Sequence, residues 1–417
     1  MNDQPLRMEP VAAGQRIEAL DVLRGFALLG ILLVNFEFFT RPIQAVVMGL
    51  DPELVGVDRM VGIATQVFAQ GKFYSLFSML FGMGFAVMLA RGVERGGFFM
   101  TYLRRILALL GIGLVHALLI WSGDILVSYA LFGIVLLLFF RRTPVSRLPK
   151  WGLSLMVLPV LFMWLLAWGI ASQDGSGAMA ESFEQHSVEQ AASLDEADRI
   201  LREGSFSEVN AVRRDDLAFM MSSTPIFGLT IFGYFLIGAW FMRSGVIAES
   251  EAHRPFFRRL CGVGLAVGLA LSAVATYLML GENFMLPTLR MAAANTFATA
   301  GNLLLCLGYL STIVLLLGQR EWGRRLRWLA PAGRMALTNY LGQSLFWTWM
   351  FYGYGLGLYG QVPRWLMPIL AVVFFALQVQ LSRWWLTRYR FGPAEWLWRS
   401  LTYLRAQPMR RVVEESM

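Results

Sequence analysis

The chain has 417 residues, of which 57% are hydrophobic and 15% are charged, and its mean hydropathy is +0.55. A soluble protein of this size has roughly a quarter of its residues charged, so much of the apolar excess here has to be solvated by lipid. The net charge of +8 does not indicate a nucleic-acid-binding face, because the arginines occur in short clusters between apolar runs.

Apolar runs of the length that crosses a hydrocarbon core, about 20 residues, recur along the chain. They predict an all-α protein, a polytopic transmembrane helix bundle of about ten spans with one long outer loop. No small-residue cleavage site follows the first run, so we expect an uncleaved anchor. The stretch 58–70 is apolar but short, which indicates an interfacial or re-entrant helix. The predicted spans are 22–39, 72–90, 104–120, 124–140, 152–170, 224–242, 260–280, 298–318, 335–352 and 365–386.

The distribution of arginine predicts the orientation of the bundle. Arginine clusters follow the second, fourth, sixth, eighth and tenth spans, whereas the intervening loops contain few basic residues. The positive-inside rule then places both termini in the cytoplasm. The loop 171–222, with eleven acidic residues and four arginines, is expected on the outer side. We therefore expect a multi-pass protein of a bacterial plasma (inner) membrane.

This orientation divides the chain into four segments. The predicted segments are an N-terminal five-span half (1–170), an extracytoplasmic amphipathic loop (171–222), a C-terminal five-span half (223–388) and a cytoplasmic tail with an interfacial helix (389–417). Within the outer loop, the stretches 188–201 and 209–219 have the apolar spacing of one or two amphipathic helices.

Small residues and cysteines inside the apolar runs suggest packing roles. Close approach of helices is expected at three pairs of glycines, namely Gly82 with Gly84, Gly111 with Gly113, and Gly262 with Gly264. The two cysteines, Cys261 and Cys306, form neither a disulfide framework nor a zinc-binding pattern, so we expect no metal site.

Ionisable residues inside predicted spans are costly in lipid and are therefore candidates for function. His116 is the sole histidine in a span, and a Trp-Ser-Gly turn brings Asp124 back towards it. The two could act as a general base and its orienting carboxylate, or His116 could simply be a packed, hydrogen-bonded side chain. Glu37 and Lys72 are also expected near the outer face, where snorkelling to the interface is the alternative role for Lys72.

The first span opens with an acidic and a basic residue on one helical face. Asp21 and Arg24 are three residues apart at the cytoplasmic end. They are either a structural pair at the helix start or a cationic ledge for a phosphate-bearing or anionic group, which arginine binds bidentately. Farther along this span, Asn35 suggests a hydrogen bond between helices.

Two later motifs add polar residues. Asn339 and Gln343 are four residues apart at the start of the ninth span, so they form a polar stripe that either joins two helices or lines a cavity. After the last span, a Gly-Pro break precedes Glu395 and Arg399, again four apart, which indicates a short interfacial helix.

Taken together, five separated motifs in order resemble the YeiB-like family of membrane proteins of unknown function, over nearly the whole chain. The motifs are Arg16 to Asn35, Gly71 to Gly82, Gly113 to Asp124, Gly333 to Ser344, and Gly392 to Arg399. The family is distantly similar to membrane acyltransferases, including the heparan-glucosaminide N-acetyltransferase and acyltransferase-three groups. The shared signature comprises Arg16, Leu20, Asp21, Arg24 and Gly25.

The resemblance implies transfer of an acyl group from a cytoplasmic donor to an acceptor on the far side of the membrane. One departure concerns the N-acetyltransferase group, whose catalytic histidine lies between the first two spans. Residues 40–71 contain no histidine here. Either His116 performs that task from another helix, or the chemistry is different.

We therefore expect an acyltransferase-like membrane protein that binds an anionic donor such as acyl-coenzyme A. The alternative is a transporter or flippase of a small metabolite or lipid that uses the same polar residues, and a third possibility is a membrane scaffold. The expected partners are the bilayer and a small-molecule or lipid substrate, without nucleic acid. His116 and Asp124 are the catalytic candidates, and Arg104 is expected to help attract the donor. The substrate-binding candidates are Asp21, Arg24, Asn35, Lys72, Ser75, Ser78, Arg105, Arg334, Asn339, Gln343, Glu395 and Arg399.

Overall fold

The computed structural model describes residues 17–51, 53–95, 97–172, 192–281 and 287–411. Within these ranges the regular structure is helical, which confirms the all-α prediction. Arg16 of the signature and 173–191 of the predicted outer loop lie outside the described residues. The helices are α1 (Glu18–Phe39), α2 (Ile43–Val47), α3 (Gly56–Phe68), α4 (Lys72–Arg95), α5 (Phe98–Leu119), α6 (Leu126–Val135), α7 (Leu148–Ala171), α8 (192–203), α9 (Phe206–Arg243), α10 (Arg254–Met279), α11 (Leu289–Leu317), α12 (Arg320–Leu326), α13 (Ala330–Arg334), α14 (Ala336–Phe351), α15 (Met367–Arg388) and α16 (Pro393–Tyr403).

Eight of the described helical segments are long and apolar enough to cross a membrane, as in a multi-pass membrane protein. They correspond to eight of the ten predicted spans. The other two predicted spans are shorter helices. One is α6, which continues as a π-helix to Phe140, and the other is the 16-residue α14. α14 is short because the chain leaves helical geometry at Met335, so that α13 forms a separate turn before it.

The predicted short helix before the second span is present as α3. It is separated from α4 by a turn at Gly71, whose φ of +86° lies in the region that favours glycine. Val57, Met60 and Phe68 of α3 are exposed, which is the pattern of a helix that lies against lipid.

The outer loop differs from the prediction in its second half. α8 contains the described part of the first expected helix, 192–201. The second expected helix runs without a break into the sixth span, so that α9 has 38 residues. α9 begins at a capping box, in which the Ser205 side chain accepts from the Glu208 N–H and the Glu208 carboxylate accepts from the Ser205 N–H. Because this start signal lies at Ser205, the helix is already formed where the span begins.

The glycine pairs were predicted to bring helices together, but only one glycine of each pair does so. A Cβ on Gly82 would overlap the backbone of α9 at Phe235, whereas a Cβ on Gly84 would meet no atom within 4 Å. Likewise, Gly113 and Gly264 pack tightly against a neighbouring segment, whereas Gly111 and Gly262 face open space. Residues two apart on a helix point to opposite sides, which explains the difference.

Candidate functional site

A cavity of about 210 Å³ lies between α1, α4, α5, α6, α14 and α16. Four arginines line it, Arg24, Arg105, Arg334 and Arg399, which we call the arginine cluster. Away from the cluster the lining is apolar and aromatic. On α1 the lining extends from Arg24 to Ile31, which is about 10 Å along the helix at 1.5 Å per residue. The cavity therefore has a cationic region and an apolar region.

Three arginines of the cluster are held in different ways. Arg24 donates to Asp21 at 2.7 Å, as the spacing on α1 predicted. The Arg105 guanidinium lies 3.5 Å from the centroid of the Trp398 ring, and the Trp398 indole donates to the Arg105 carbonyl at 2.8 Å. Arg399 lies over the Phe391 ring at 4.7 Å. Stacking on an aromatic ring restricts the orientation of the Arg105 and Arg399 guanidinium groups.

Glu395, a carboxylate in the cavity lining, holds the start of α14. Glu395 Oε1 accepts from the N–H groups of Leu337 and Thr338 at 2.7 and 3.1 Å, and Oε2 accepts from the Thr338 hydroxyl. Burial raises the pKa of this carboxyl, against the opposing effect of these hydrogen bonds. With four arginines and one glutamate in its lining, the cavity is suited to an anion.

The structure brings His116 and Asp124 together in the protein interior. His116 Nδ1 is 2.7 Å from Asp124 Oδ2, and both side chains are completely buried. Asp124 Oδ1 also accepts from the Val127 N–H at 2.8 Å, which fixes the carboxylate. With the Asp124 carboxylate as acceptor, Nδ1 is the donor of this bond, which directs Nε2 away from Asp124. Among the described residues, Nε2 has no hydrogen-bond partner.

Tyr340 connects the cavity to this pair. Its ring lines the cavity, and its centroid is 5.2 Å from that of the His116 ring. The Tyr340 hydroxyl accepts from the Ile125 N–H at 3.4 Å, which is long for a hydrogen bond. His116 is eleven residues from Arg105 on α5, or about 16 Å along the helix. Tyr340 is thus in contact with both the cavity and the His116 ring.

Asn339 and Gln343 were expected as possible cavity-lining residues, but the structure places them in a helix contact. Asn339 donates to the Ser382 hydroxyl at 2.9 Å, and Gln343 donates to Gln378 Oε1 at 2.8 Å. Gln378 in turn donates to the Asn339 carbonyl at 3.0 Å. The polar stripe therefore joins α14 to α15, which was the alternative interpretation of the spacing.

The remaining candidates lie away from the cavity, with one exception. Lys72 is buried and donates to the Gln66 carbonyl at 2.9 Å, and Ser75 bonds to the Gly71 carbonyl one turn back. Asn35 is half-buried on α1, and Arg104 is exposed, on the side of α5 that faces away from the arginine cluster. The exception is Ser78, which hydrogen-bonds the hydroxyl of Tyr129, a cavity-lining residue, at 2.6 Å.

Sequence reasoning missed two buried cationic groups at the far end of the bundle. Glu37 pairs with Arg364 at the beginning of the last span. Arg213 of α9 is 1% exposed and donates to the Leu119 carbonyl and the Tyr354 hydroxyl, at 3.1 and 2.8 Å. Glu37 is a carboxylate inside the first span, and its position was a signal that a cation lies beside it. The sequence around Arg213 contains no comparable signal, because Arg213 is one of four arginines in the predicted outer loop.

Comparison with known proteins provides the family. The family model described as "Protein of unknown function (DUF418)" matches residues 241–405. The uncharacterized protein YxaH of Bacillus subtilis is 36% identical over 420 residues, which cover 96% of this chain and 98% of YxaH. The chain belongs to the YeiB-like DUF418 family. The uncharacterized protein YeiB of Escherichia coli is 30% identical over 409 residues, or 94% of this chain and 98% of YeiB.

Membership of the DUF418 family confirms the resemblance of the five motifs to the YeiB-like family. The matched segment contains Arg334, Glu395 and Arg399, so half of the arginine cluster lies within it. Arg24, Arg105 and His116 lie before it. In this family member the candidate site is therefore assembled from both halves of the chain.

Proposed function

We propose that the protein is an acyltransferase that takes an acyl group from an anionic donor on the cytoplasmic side and passes it to an acceptor at the outer face of the inner membrane. The observation that carries the proposal is one continuous arrangement. A cavity begins at the arginine cluster, continues between apolar walls, and reaches Tyr340, which packs on His116 of a buried histidine–carboxylate pair. The positive-inside rule supports a cytoplasmic position of the cluster and of both termini.

The size of the cavity limits how a donor is bound. At about 210 Å³ the cavity is smaller than typical ligand pockets, which are roughly 300–1,000 Å³. A nucleotide-bearing donor such as acyl-coenzyme A would insert its acyl end and keep its nucleotide outside. The arginine cluster would hold the donor's phosphates, because guanidinium groups bind phosphate oxygens bidentately.

The reaction would be a transfer between a thioester and a hydroxyl or amine. The acceptor oxygen or nitrogen attacks the thioester carbonyl carbon, a carbon–oxygen or carbon–nitrogen bond forms, and the carbon–sulfur bond breaks. His116 Nε2 takes the proton of the acceptor and passes it to the departing sulfur, which leaves as a thiol. Asp124 stabilises the imidazolium that exists between these steps, through its bond to Nδ1.

This reaction requires Tyr340 to move, because His116 is completely buried. The hydroxyl of Tyr340 is held by a bond of 3.4 Å only, so its displacement loses little hydrogen-bond energy. Entry of the donor's arm would push the ring aside and expose Nε2 at the moment of reaction.

Replacing His116 tests the proposal. In purified protein supplied with radiolabelled acetyl-coenzyme A and membrane lipids, His116→Ala should lower acyl transfer at least about 100-fold, the typical contribution of a general base. His253→Ala is the matched control, since His253 is half-buried outside the cavity lining and, among the described residues, its side chain bonds only the Glu249 carbonyl. Equal transfer by wild type and His116→Ala would refute the catalytic assignment. Movement of a substrate across vesicles without any acyl donor would instead favour the transporter alternative.

A further inference from the structure

The cavity-lining part of α4 contains one glycine with no packing role. α4 lines the cavity from Phe77 to Phe85, a distance of about 12 Å along the helix. Gly84 belongs to this lining, and a Cβ built on it would meet no atom within 4 Å. By contrast, Gly82 on the opposite side of the helix cannot accept a Cβ without a backbone shift. Glycine in a helix interior is less favourable than alanine by roughly 0.5–1 kcal/mol, so packing does not explain Gly84.

Gly84 lies near the Tyr102 end of the cavity lining. Its neighbour Phe85 contacts the Tyr102 ring, with centroids 5.0 Å apart, and Tyr102 is one turn before Arg105 on α5. At the other end of the lining, Phe77 lies beside Tyr129, with centroids 6.1 Å apart. A ligand that extends along α4 from the Tyr102 end of the cavity to the Phe77 end therefore runs past Gly84.

A second observation at the Tyr102 end of the cavity also indicates a ligand. The Tyr102 hydroxyl belongs to a side chain that is 2% exposed and lines the cavity, and it has no hydrogen-bond partner among the described residues. A buried phenol usually has a partner, so a polar group of a bound molecule would satisfy it. Farther along the cavity the side chains of Leu80, Phe81 and Leu109 form apolar walls.

We propose that Gly84 is a specificity-determining residue, which keeps open the passage for a slender arm that joins the donor's anionic head to its acyl group. This inference rests on the proposed function and narrows the class of donor. The arginine cluster and His116 are about 16 Å apart along α5. A donor whose phosphate is bonded directly to the acyl carbon, such as acetyl phosphate, is too short to place its anion at one end and its carbonyl at the other. The donor therefore needs a long arm between its anionic head and its acyl carbonyl, as acyl-coenzyme A has.

Gly84→Leu tests the inference by filling the passage. The added side chain starts in open space, so the empty protein should fold normally. Gly111→Leu is the matched control, because Gly111 also lies within a helix and faces open space but is outside the cavity lining. Binding of radiolabelled acetyl-coenzyme A should weaken at least about 30-fold in Gly84→Leu, less in Gly84→Ala, and not at all in Gly111→Leu. Adenosine 3′,5′-bisphosphate, a head without an arm, should bind Gly84→Leu and wild type equally.

The outcomes separate this inference from the proposed function. If Gly84→Leu binds acetyl-coenzyme A like wild type, or if acetyl phosphate supports transfer as well as the thioester does, the role of Gly84 is refuted while transfer can still depend on His116. If Gly84→Leu blocks binding of acetyl-coenzyme A but wild type transfers no acyl group, the role of Gly84 is supported and the proposed enzyme activity is refuted. If wild type binds neither acetyl-coenzyme A nor the bisphosphate, both are refuted.

Discussion

Glu395→Ala should destabilise the fold by detaching α16 from the start of α14. The variant removes the acceptor of the Leu337 and Thr338 N–H groups, of which the first is buried. One buried, unsatisfied N–H costs about 1–3 kcal/mol, and loss of a capping acceptor costs typically about 1 kcal/mol. We therefore expect the free energy of unfolding to fall by about 2–4 kcal/mol.

Glu395→Gln is the control that separates hydrogen bonding from side-chain size. Its amide oxygen still accepts from both N–H groups, so the expected loss is below about 1 kcal/mol. Unfolding of the purified protein in mixed micelles, followed by far-ultraviolet circular dichroism, measures both variants. A Glu395→Ala protein as stable as wild type, or a Glu395→Gln protein as unstable as Glu395→Ala, would refute the reasoning.

Comparison of wild type with Glu395→Gln also predicts how the contribution of Glu395 to stability changes with pH. Burial raises the pKa of Glu395 above its ordinary value of 4.5, so the folded state binds this proton more tightly than the unfolded chain does. The resulting stabilisation is complete below pH 4.5 and is lost as the pH rises through the folded-state pKa. Glutamine does not titrate, so the stability of wild type relative to Glu395→Gln should decrease with rising pH. A difference that is constant or increases would contradict this assignment.

Two further substitutions test packing and charge inside the bundle. Gly82→Ala places a Cβ against the Phe235 carbonyl and should lower the free energy of unfolding by about 1–3 kcal/mol, whereas Gly84→Ala on the same helix should not lower it. Equal melting temperatures of the two variants would contradict this. Glu37→Gln leaves a buried Arg364 without its carboxylate and should cost about 3–5 kcal/mol, part of which the double variant with Arg364→Met recovers. A double variant that is no more stable than Glu37→Gln would argue against direct pairing.

The sequence was sufficient for the helical class, the family and the main polar sites, because each left a local signal. The Ser-Gly turn after His116 predicted that Asp124 comes back beside it, and the two side chains are in contact. The arginines were visible as clusters at helix ends, and four of the five predicted at the donor site meet at one cavity.

What the sequence could not provide was the direction in which a helical face points. Asn339 and Gln343 define a polar stripe, but only the neighbour α15 decides whether that stripe lines a cavity or joins two helices. Gly82 and Gly84 look alike in the sequence, although one packs against α9 and the other faces open space. The pairing of Glu37 with Arg364 joins residues more than 300 positions apart, which no local pattern encodes.

The length of α9 bears on how an acceptor could reach His116. At 1.5 Å per residue its 38 residues extend about 57 Å, whereas a helix tilted by as much as 40° needs only about 39 Å to cross a 30 Å core. If Arg243 marks one boundary of the core, Arg213, about 45 Å away along the helix, lies beyond the other boundary. Arg213 donates to the Leu119 carbonyl, only three residues after His116. The histidine is then close to the headgroup layer, where a polar acceptor can approach it from water without dissolving in lipid.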